Sequence, residues 1–224
     1  KQNEPNPTPM QAKRLVGEVI SRRQARETLD RIRANGVECA YYAVDVIDGN
    51  SMAEVLHNVQ QRYGPVTSIV HGAGNIADKR IEQKVEKDFA SVVDTKLKGI
   101  ENVLRHVDLT KLRRMLLFSS ISSVYGNAGQ TDYALANEVL NKFAISFSLL
   151  HPEVKTVAIC WGPWDSGMMN ETLKRLYEAR GIKLISQSVG TEFFIREFLG
   201  KNTEAGQIVI SGQMPLDIGK ANHS

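Results

Sequence analysis

The sequence predicts an α/β protein built on a doubly wound parallel sheet. Three observations carry this expectation. Short apolar runs alternate with longer amphipathic stretches along most of the chain. Those runs are apolar throughout rather than at every second residue, the pattern of strands covered on both faces. Four successive runs end in residues unusual for a buried strand: Asp45-Val46, His71-Gly72-Ala73-Gly74, Ser119-Ser120 and Trp161-Gly162-Pro163-Trp164. Ligands of an open parallel sheet bind beyond the carboxyl ends of its strands, where such residues are useful.

Taken in order, a polar start rich in Pro and Asn (1–9) is followed by a charged helix, Met10 to Ala34, which Asn35-Gly36 would stop. Val37 to Val44 reads as a strand and Met52 to Tyr63 as a helix. Val66 to Val70 is a short buried strand, and Ile81 to Arg105 one long helix. Leu112 to Phe118 is a strand, Asp132 to Leu149 a helix and Val154 to Trp161 another strand. Helical pieces at Glu171 to Ala179 and Glu192 to Leu199 precede a last strand, Gln207 to Ser211. This divides the chain into a polar segment with its helix (1–35), a main domain (36–212) and a tail (213–224).

Composition narrows the function classes. With 224 residues, 42% of them apolar, the chain can bury a substantial core. Its formal charge of +3 is spread along the sequence without an arginine-rich arm, which argues against nucleic acid as partner. The longest apolar runs are too short to span a bilayer. Cys39 and Cys160 sit in apolar runs without metal-ligand spacing, so a reduced, cytoplasmic setting and no metal site are expected.

The chemistry concentrates between Ser119 and Asn137. Tyr133, Ala136, Asn137, Leu140, Phe143, Ala144 and Phe147 lie on one stripe of a predicted helix. An isolated tyrosine in such a stripe is more often a core residue with its hydroxyl tied to backbone. Asn137 changes that balance, because a carboxamide one turn from a phenol on an apolar face needs hydrogen-bond partners. Ser120, at the mouth of an apolar run, could hold a carbonyl oxygen that a phenol protonates. In the preceding helix Lys96 falls within the stripe of Phe89, Val92, Val93, Ile100, Val103 and Leu104, whereas Lys98 does not. Lysine is almost never buried without a partner. A cation beside Tyr133 would lower the phenol pKa from its usual value near 10.

The run Phe118-Ser-Ser-Ile-Ser-Ser-Val-Tyr-Gly-Asn-Ala-Gly-Gln-Thr-Asp-Tyr-Ala-Leu-Ala-Asn137 resembles the ketoreductase domains of polyketide synthases, members of the short-chain dehydrogenase/reductase superfamily. Among these it is most similar to the ketoreductases of bacterial polyunsaturated-fatty-acid and glycolipid-type synthases. His71-Gly-Ala-Gly-Asn-Ile-Ala-Asp78, Asp94-Thr-Lys-Leu-Lys-Gly99 and Trp161-Gly-Pro-Trp-Asp-Ser-Gly-Met168 fit in the same order. The resemblance implies a Rossmann-like fold and NADPH-dependent reduction of a 3-oxoacyl thioester on an acyl carrier protein, alongside other synthase domains. It implies that Ser120 binds the substrate carbonyl, Tyr133 donates the proton, Lys96 tunes Tyr133 and contacts the nicotinamide ribose, and Asn137 completes the network. Gly72, Ala73, Gly74 and Ser119 would run beside the cofactor, Asp45 and Val46 would meet the adenine, and Gly162 and Pro163 the carboxamide. Met168 and Met169 would open a lid running to Leu184. Asp78 matches an aspartate that accompanies formation of the D-3-hydroxyl.

The same resemblance raises an expectation about completeness. The superfamily opens with a strand, a glycine-rich phosphate loop, a helix and a second strand, and no G-x-G-x-x-G pattern precedes Val37. In the 3-2-1-4-5-6 order the two absent strands would lie between Val37–Val44 and the others. The chain is therefore expected to need a second polypeptide or an N-terminal segment to supply them. Two other classes compete with this reading. A non-catalytic structural ketoreductase-like domain has no need of Lys96, Ser120, Tyr133 and Asn137 together, and a sugar-nucleotide epimerase or dehydratase would carry lysine at position 137.

Overall fold

The computed structural model describes residues 8–166, 169, 171–200 and 206–213. Two compact units are present, 1–43 and 44–224.

The first unit is helix α1 (Pro9–Ala34) and the segment after it. Thr8 caps α1 in a reciprocal box: its Oγ1 accepts from the Gln11 N–H, and its own N–H donates to Gln11 Oε1. Asn35 and Gly36 end the helix, with Gly36 at φ 74°, as the sequence predicts. Leu15, Val16, Val19 and Ile20 are all exposed on it.

The second unit contains the sheet. Four parallel strands, β1 (Ser68–His71), β2 (Arg114–Ser120), β3 (Lys155–Trp161) and β4 (Gln207–Ile210), lie in the order 1-2-3-4. Around them are α2 (Gly49–Tyr63), α3 (Glu86–Leu104), the short α4 (Ser122–Tyr125), α5 (Thr131–Leu150), α6 (Glu171–Ala179) and α7 (Gln187–Leu199).

Successive side chains of β2 point to opposite faces, and both faces are buried. Met115 and Leu117 pack with Met52, Leu56, Ile100, Leu140 and Ala144 on the side of α2, α3 and α5. Leu116 packs with Val157, Ile159, Trp161 and Ile185 on the other side, where Phe193, Phe194 and Phe198 of α7 close the layer. Every residue of β3 is buried, as expected of a central strand covered twice.

Two elements depart from the sequence reading. The expected strand 37–44 joins no ladder among the described residues, although exposed and half-buried residues alternate from 41 to 47. A strand exists through its neighbours' hydrogen bonds, and none runs beside it. The expected helix Ile81 to Arg105 is interrupted. A 3-10 turn (Ile81–Gln83) gives way to extended backbone at Lys84 and Val85, and α3 starts only at Glu86. The cause lies in Lys84, whose side chain is drawn away to α5.

Candidate active site

β1 leaves the sheet at His71 and continues as Gly72-Ala73-Gly74-Asn75 alongside α3. His71 is buried, and its Nε2–H donates to the Lys96 carbonyl at 2.9 Å. That tautomer is required, since a carbonyl only accepts. Asn75 Nδ2 donates to Ser91 Oγ at 2.9 Å, fastening the segment to the same helix. A Cβ at Gly74 would come within 3.2 Å of Lys96 Cε, so glycine there leaves room for the lysine stem. Above Gly72 nothing lies within 4 Å of such a Cβ.

Lys96 is 3% exposed, as the stripe argument requires, whereas Lys98 is on the surface paired with Asp94. The ammonium crosses to β2, where Nζ donates to the Phe118 carbonyl at 2.9 Å, and it stands 5.8 Å from the centre of the Tyr133 ring. Burial lowers its pKa to about 8. Burial, followed by the charge of Lys96, lowers His71 to about 4, so the imidazole is neutral at physiological pH.

Ser120 ends β2. Its Oγ accepts from both the N–H and the Oγ–H of Ser122, at 3.2 and 3.0 Å. With its lone pairs engaged, Ser120 is left to act as a donor, and the Tyr133 hydroxyl is within its reach. Tyr133 sits in the first turns of α5, and its pKa is raised, contrary to the expectation from Lys96. Burial of the ring dominates; the Asn137 and Ser120 side chains pull downward, while Asp78 and Tyr177 push further up. The phenol is thus held in its protonated, donating form. Asn137 is fully buried: its Nδ2 donates to the Tyr133 carbonyl at 2.8 Å, and its Oδ1 has no partner.

The remaining expected residues fall into three groups. Asp45 and Val46 form a turn whose Val46 carbonyl accepts from Asn102 Nδ2 at 2.9 Å. Asp78 Oδ2 accepts from Gln130 Nε2 at 2.9 Å, beside α5. Pro163 is stapled by the Ile185 N–H to its carbonyl at 2.8 Å. The Ser119 hydroxyl is turned inward onto the Asn137 carbonyl, 3.3 Å away. A Cβ at Gly162 would lie 2.6 Å from Ser211 Oγ, just after β4, so glycine there lets the two strand ends approach. Met169 is half-buried, and Met168 lies outside the described residues. Tyr177 on α6 is among the groups whose charge raises Tyr133.

Sequence reasoning missed the residues beneath this layer. Lys84 and Asp132 form a buried ion pair, and Cys160 sits in a polar nest with Asn141 Oδ1 at 3.4 Å and Ser119 Oγ at 3.7 Å. Asp132 stands directly before Tyr133, and a carboxylate in the first turn of a helix was the available signal. Nothing in the chain pattern marks Lys84.

Four buried side-chain atoms among the described residues lack a partner: Asn75 Oδ1, Asp132 Oδ2, Asn137 Oδ1 and Trp161 Nε1. Such groups are rare in native folds, and all four belong to residues at or beyond the carboxyl end of the sheet. Leaving aside Asp132, whose other oxygen is held by Lys84, the atoms of Asn75, Asn137 and Trp161 together with the open space over Gly72 suit a polar ligand laid across the strand ends. No cluster of His, Cys, Asp and Glu among the described residues could hold a metal ion, and no described helix is long and apolar enough to cross a membrane. A groove of about 550 Å³ between α3 and α5 is lined mainly by Leu97, Ile100, Leu104, Val139, Leu140 and Phe143 and holds none of these groups.

The KR domain family model matches residues 11–166. The chain belongs to the KR domain family. These are ketoreductases of type I synthases within the short-chain dehydrogenase/reductase superfamily, oxidoreductases that use a nicotinamide cofactor. The KR chain is 38% identical over 199 residues to a polyunsaturated fatty acid synthase polypeptide of Thraustochytrium sp., matching 88% of this chain but 7% of that polypeptide. It is 30% identical over 178 residues to the 3-oxoacyl-(acyl-carrier-protein) reductase FabG of Pseudomonas aeruginosa, covering 77% of this chain and 71% of FabG. Among solved structures, the ketoreductase domain from the bacillaene assembly line superposes with a TM-score of 0.74 at 30% identity, over 84% of this chain and 46% of that one.

Proposed function

We propose that the protein carrying this KR chain reduces a 3-oxoacyl thioester, presented on an acyl carrier protein, to the 3-hydroxyacyl thioester with NADPH. The observation that carries the reading is the pairing of two donor hydroxyl groups, one to bind a carbonyl oxygen and one to protonate it. Ser120, its oxygen already accepting twice, has a proton to give to a carbonyl oxygen and so binds it. Tyr133, kept protonated by burial, has a proton to transfer to that oxygen.

NADPH, when bound, supplies the hydride. Ser120 orients the ketone, and Tyr133 protonates the oxygen as negative charge develops on it. Lys96, cationic below about pH 8, favours the phenolate that remains. Asn137 holds the backbone of Tyr133 through Nδ2 and presents Oδ1 to a donor such as a ribose hydroxyl or water. Gly72-Ala73-Gly74 and Asp45-Val46 would line the cofactor's site. α6 and Met169 form the lid, and Asp78 directs entry so that the D-3-hydroxyl results. The free edge of β1, where Val70 is 48% exposed, is completed by strands from another polypeptide or segment of the same synthase.

The test is NADPH oxidation by the full-length protein with a 3-oxoacyl thioester or a surrogate ketone, followed by chiral analysis. No oxidation with any such ketone would refute the reading, and an L-configured alcohol would refute the role given to Asp78.

A further inference from the structure

The helix that carries Tyr133 is not capped in the ordinary way. Gln130, at the position before α5, makes no side-chain capping bond. Instead Asp132 Oδ1 accepts from the N–H of Tyr133 itself at 2.9 Å. The same oxygen accepts from Lys84 Nζ at 2.7 Å, and the two side chains are 0% and 6% exposed. The lysine donates a second bond, at 2.9 Å, to the carbonyl of Ala77. One buried ammonium thus joins three pieces of chain: the residue before Asp78, the break ahead of α3, and the first turn of α5.

The arch from 77 to 84 is stitched to the approach to α5 at its other end too. Gln130 Nε2 donates to Asp78 Oδ2, and the Lys79 N–H donates to the Gly129 carbonyl at 3.0 Å. Gly129 takes φ 84°, and its Cβ position would stand 3.6 Å from the Lys79 backbone, so the two segments are in contact.

We propose that the Lys84–Asp132 pair is a positioning device that sets the proton donor Tyr133 against the Asp78 wall of the substrate channel. Lys84 and Asp132 touch neither substrate nor cofactor; they act through the Tyr133 N–H and the Ala77 carbonyl. The inference rests on Tyr133 being the proton donor. A misplacement of about 1 Å can cost on the order of a hundredfold in rate, and removing one member of the pair leaves the other charge buried without its partner.

The test uses the full-length protein with Asp132→Asn, Lys84→Met and the double variant, and Tyr133→Phe in parallel. The readouts are kcat and KM with NADPH and a surrogate ketone, NADPH affinity by fluorescence, and the D:L ratio of the product. Each single variant is expected to lose about a hundredfold in kcat, keep its NADPH affinity within about twofold, and give a lower D:L ratio. The double variant should be no worse than the worse single one, since the two residues act as a unit. An Asp132→Asn enzyme with unchanged kcat and product ratio, beside an inactive Tyr133→Phe enzyme, overturns this inference alone. A fully active Tyr133→Phe enzyme overturns the reading on which it rests. Hydrogen exchange of the unmodified protein covers variants that fail to fold. Segments 77–84 and 130–134 should open together, and independent fast exchange of 77–84 would refute the pair's role.

Discussion

In the proposed reaction Tyr133, Lys96 and Ser120 divide one task by environment. The phenol is buried and raised, the ammonium is buried and lowered to about 8, and the hydroxyl is oriented by two bonds from Ser122. Tyr133→Phe removes the proton and little else, so turnover should fall by roughly 10²–10⁴-fold with cofactor affinity nearly unchanged. A stopped-flow assay with a surrogate ketone checks this, and normal turnover would make Tyr133 a core tyrosine. Lys96→Met should depress both turnover and NADPH binding, whereas Lys98→Met should do little, because Lys98 holds only Asp94 at the surface. The pH dependence has a definite sign. Lys96 is charged below about pH 8 and neutral above it, so kcat should fall on the alkaline side of pH 8. In Lys96→Arg any residual activity should show no such limb, as guanidinium does not lose its proton in this range.

At the level of elements, the site depends on how strands and helices meet. α7 passes so close to the turn after β3 that a Cβ at Gly190 would lie 2.2 Å from the Trp164 ring. Gly190→Ala must push the helix or the indole aside, with an expected cost of about 1–3 kcal/mol. Urea midpoints would measure it, and an unchanged midpoint would show that the contact yields freely. Much of this level was legible in the sequence. α5 and β3 appear within two residues of their expected ends, because long periodic or continuously apolar stretches report directly on burial. The break at Lys84-Val85 was not legible. The stretch from Ile81 reads as continuous helix, and only a contact with Asp132, 48 positions later, ends it.

The unit from 44 to 224 as a whole carries a buried titratable group that ties acid stability to the site. His71 is lowered to about 4 from an ordinary value of 6.5. A group whose folded pKa is depressed contributes stability that is complete above its unfolded pKa and lost as pH falls through its folded value. The window here is therefore pH 6.5 down to 4. At about 1.4 kcal/mol per unit, the loss is on the order of 3 kcal/mol. Denaturant midpoints between pH 7 and 4 should show it. His71→Gln, whose amide can still donate to the Lys96 carbonyl, should flatten the dependence; an equally steep loss in that variant would assign it to other groups.

Chain pattern alone dictates the fold class, the ends of β1, β2 and β3, and the placing of Lys96, Tyr133 and Asn137 on apolar stripes, while the likeness to ketoreductase domains joins Ser120 to them as one set. Periodicity and a polar residue on an apolar stripe are local properties of the chain. What those groups do to one another was settled by folding. Proximity to Lys96 argued for a lowered phenol pKa at Tyr133, but burial by neighbours from other elements raises it. Ser119 and Ser120 are adjacent and chemically identical, yet the pleat sends one hydroxyl into α5 and leaves the other at the strand mouth. The Lys84–Asp132 pair exists only because the chain returns to the same place after the whole of α3 and β2. Burial and long-range pairing are properties of the packed molecule, and no window of sequence contains them.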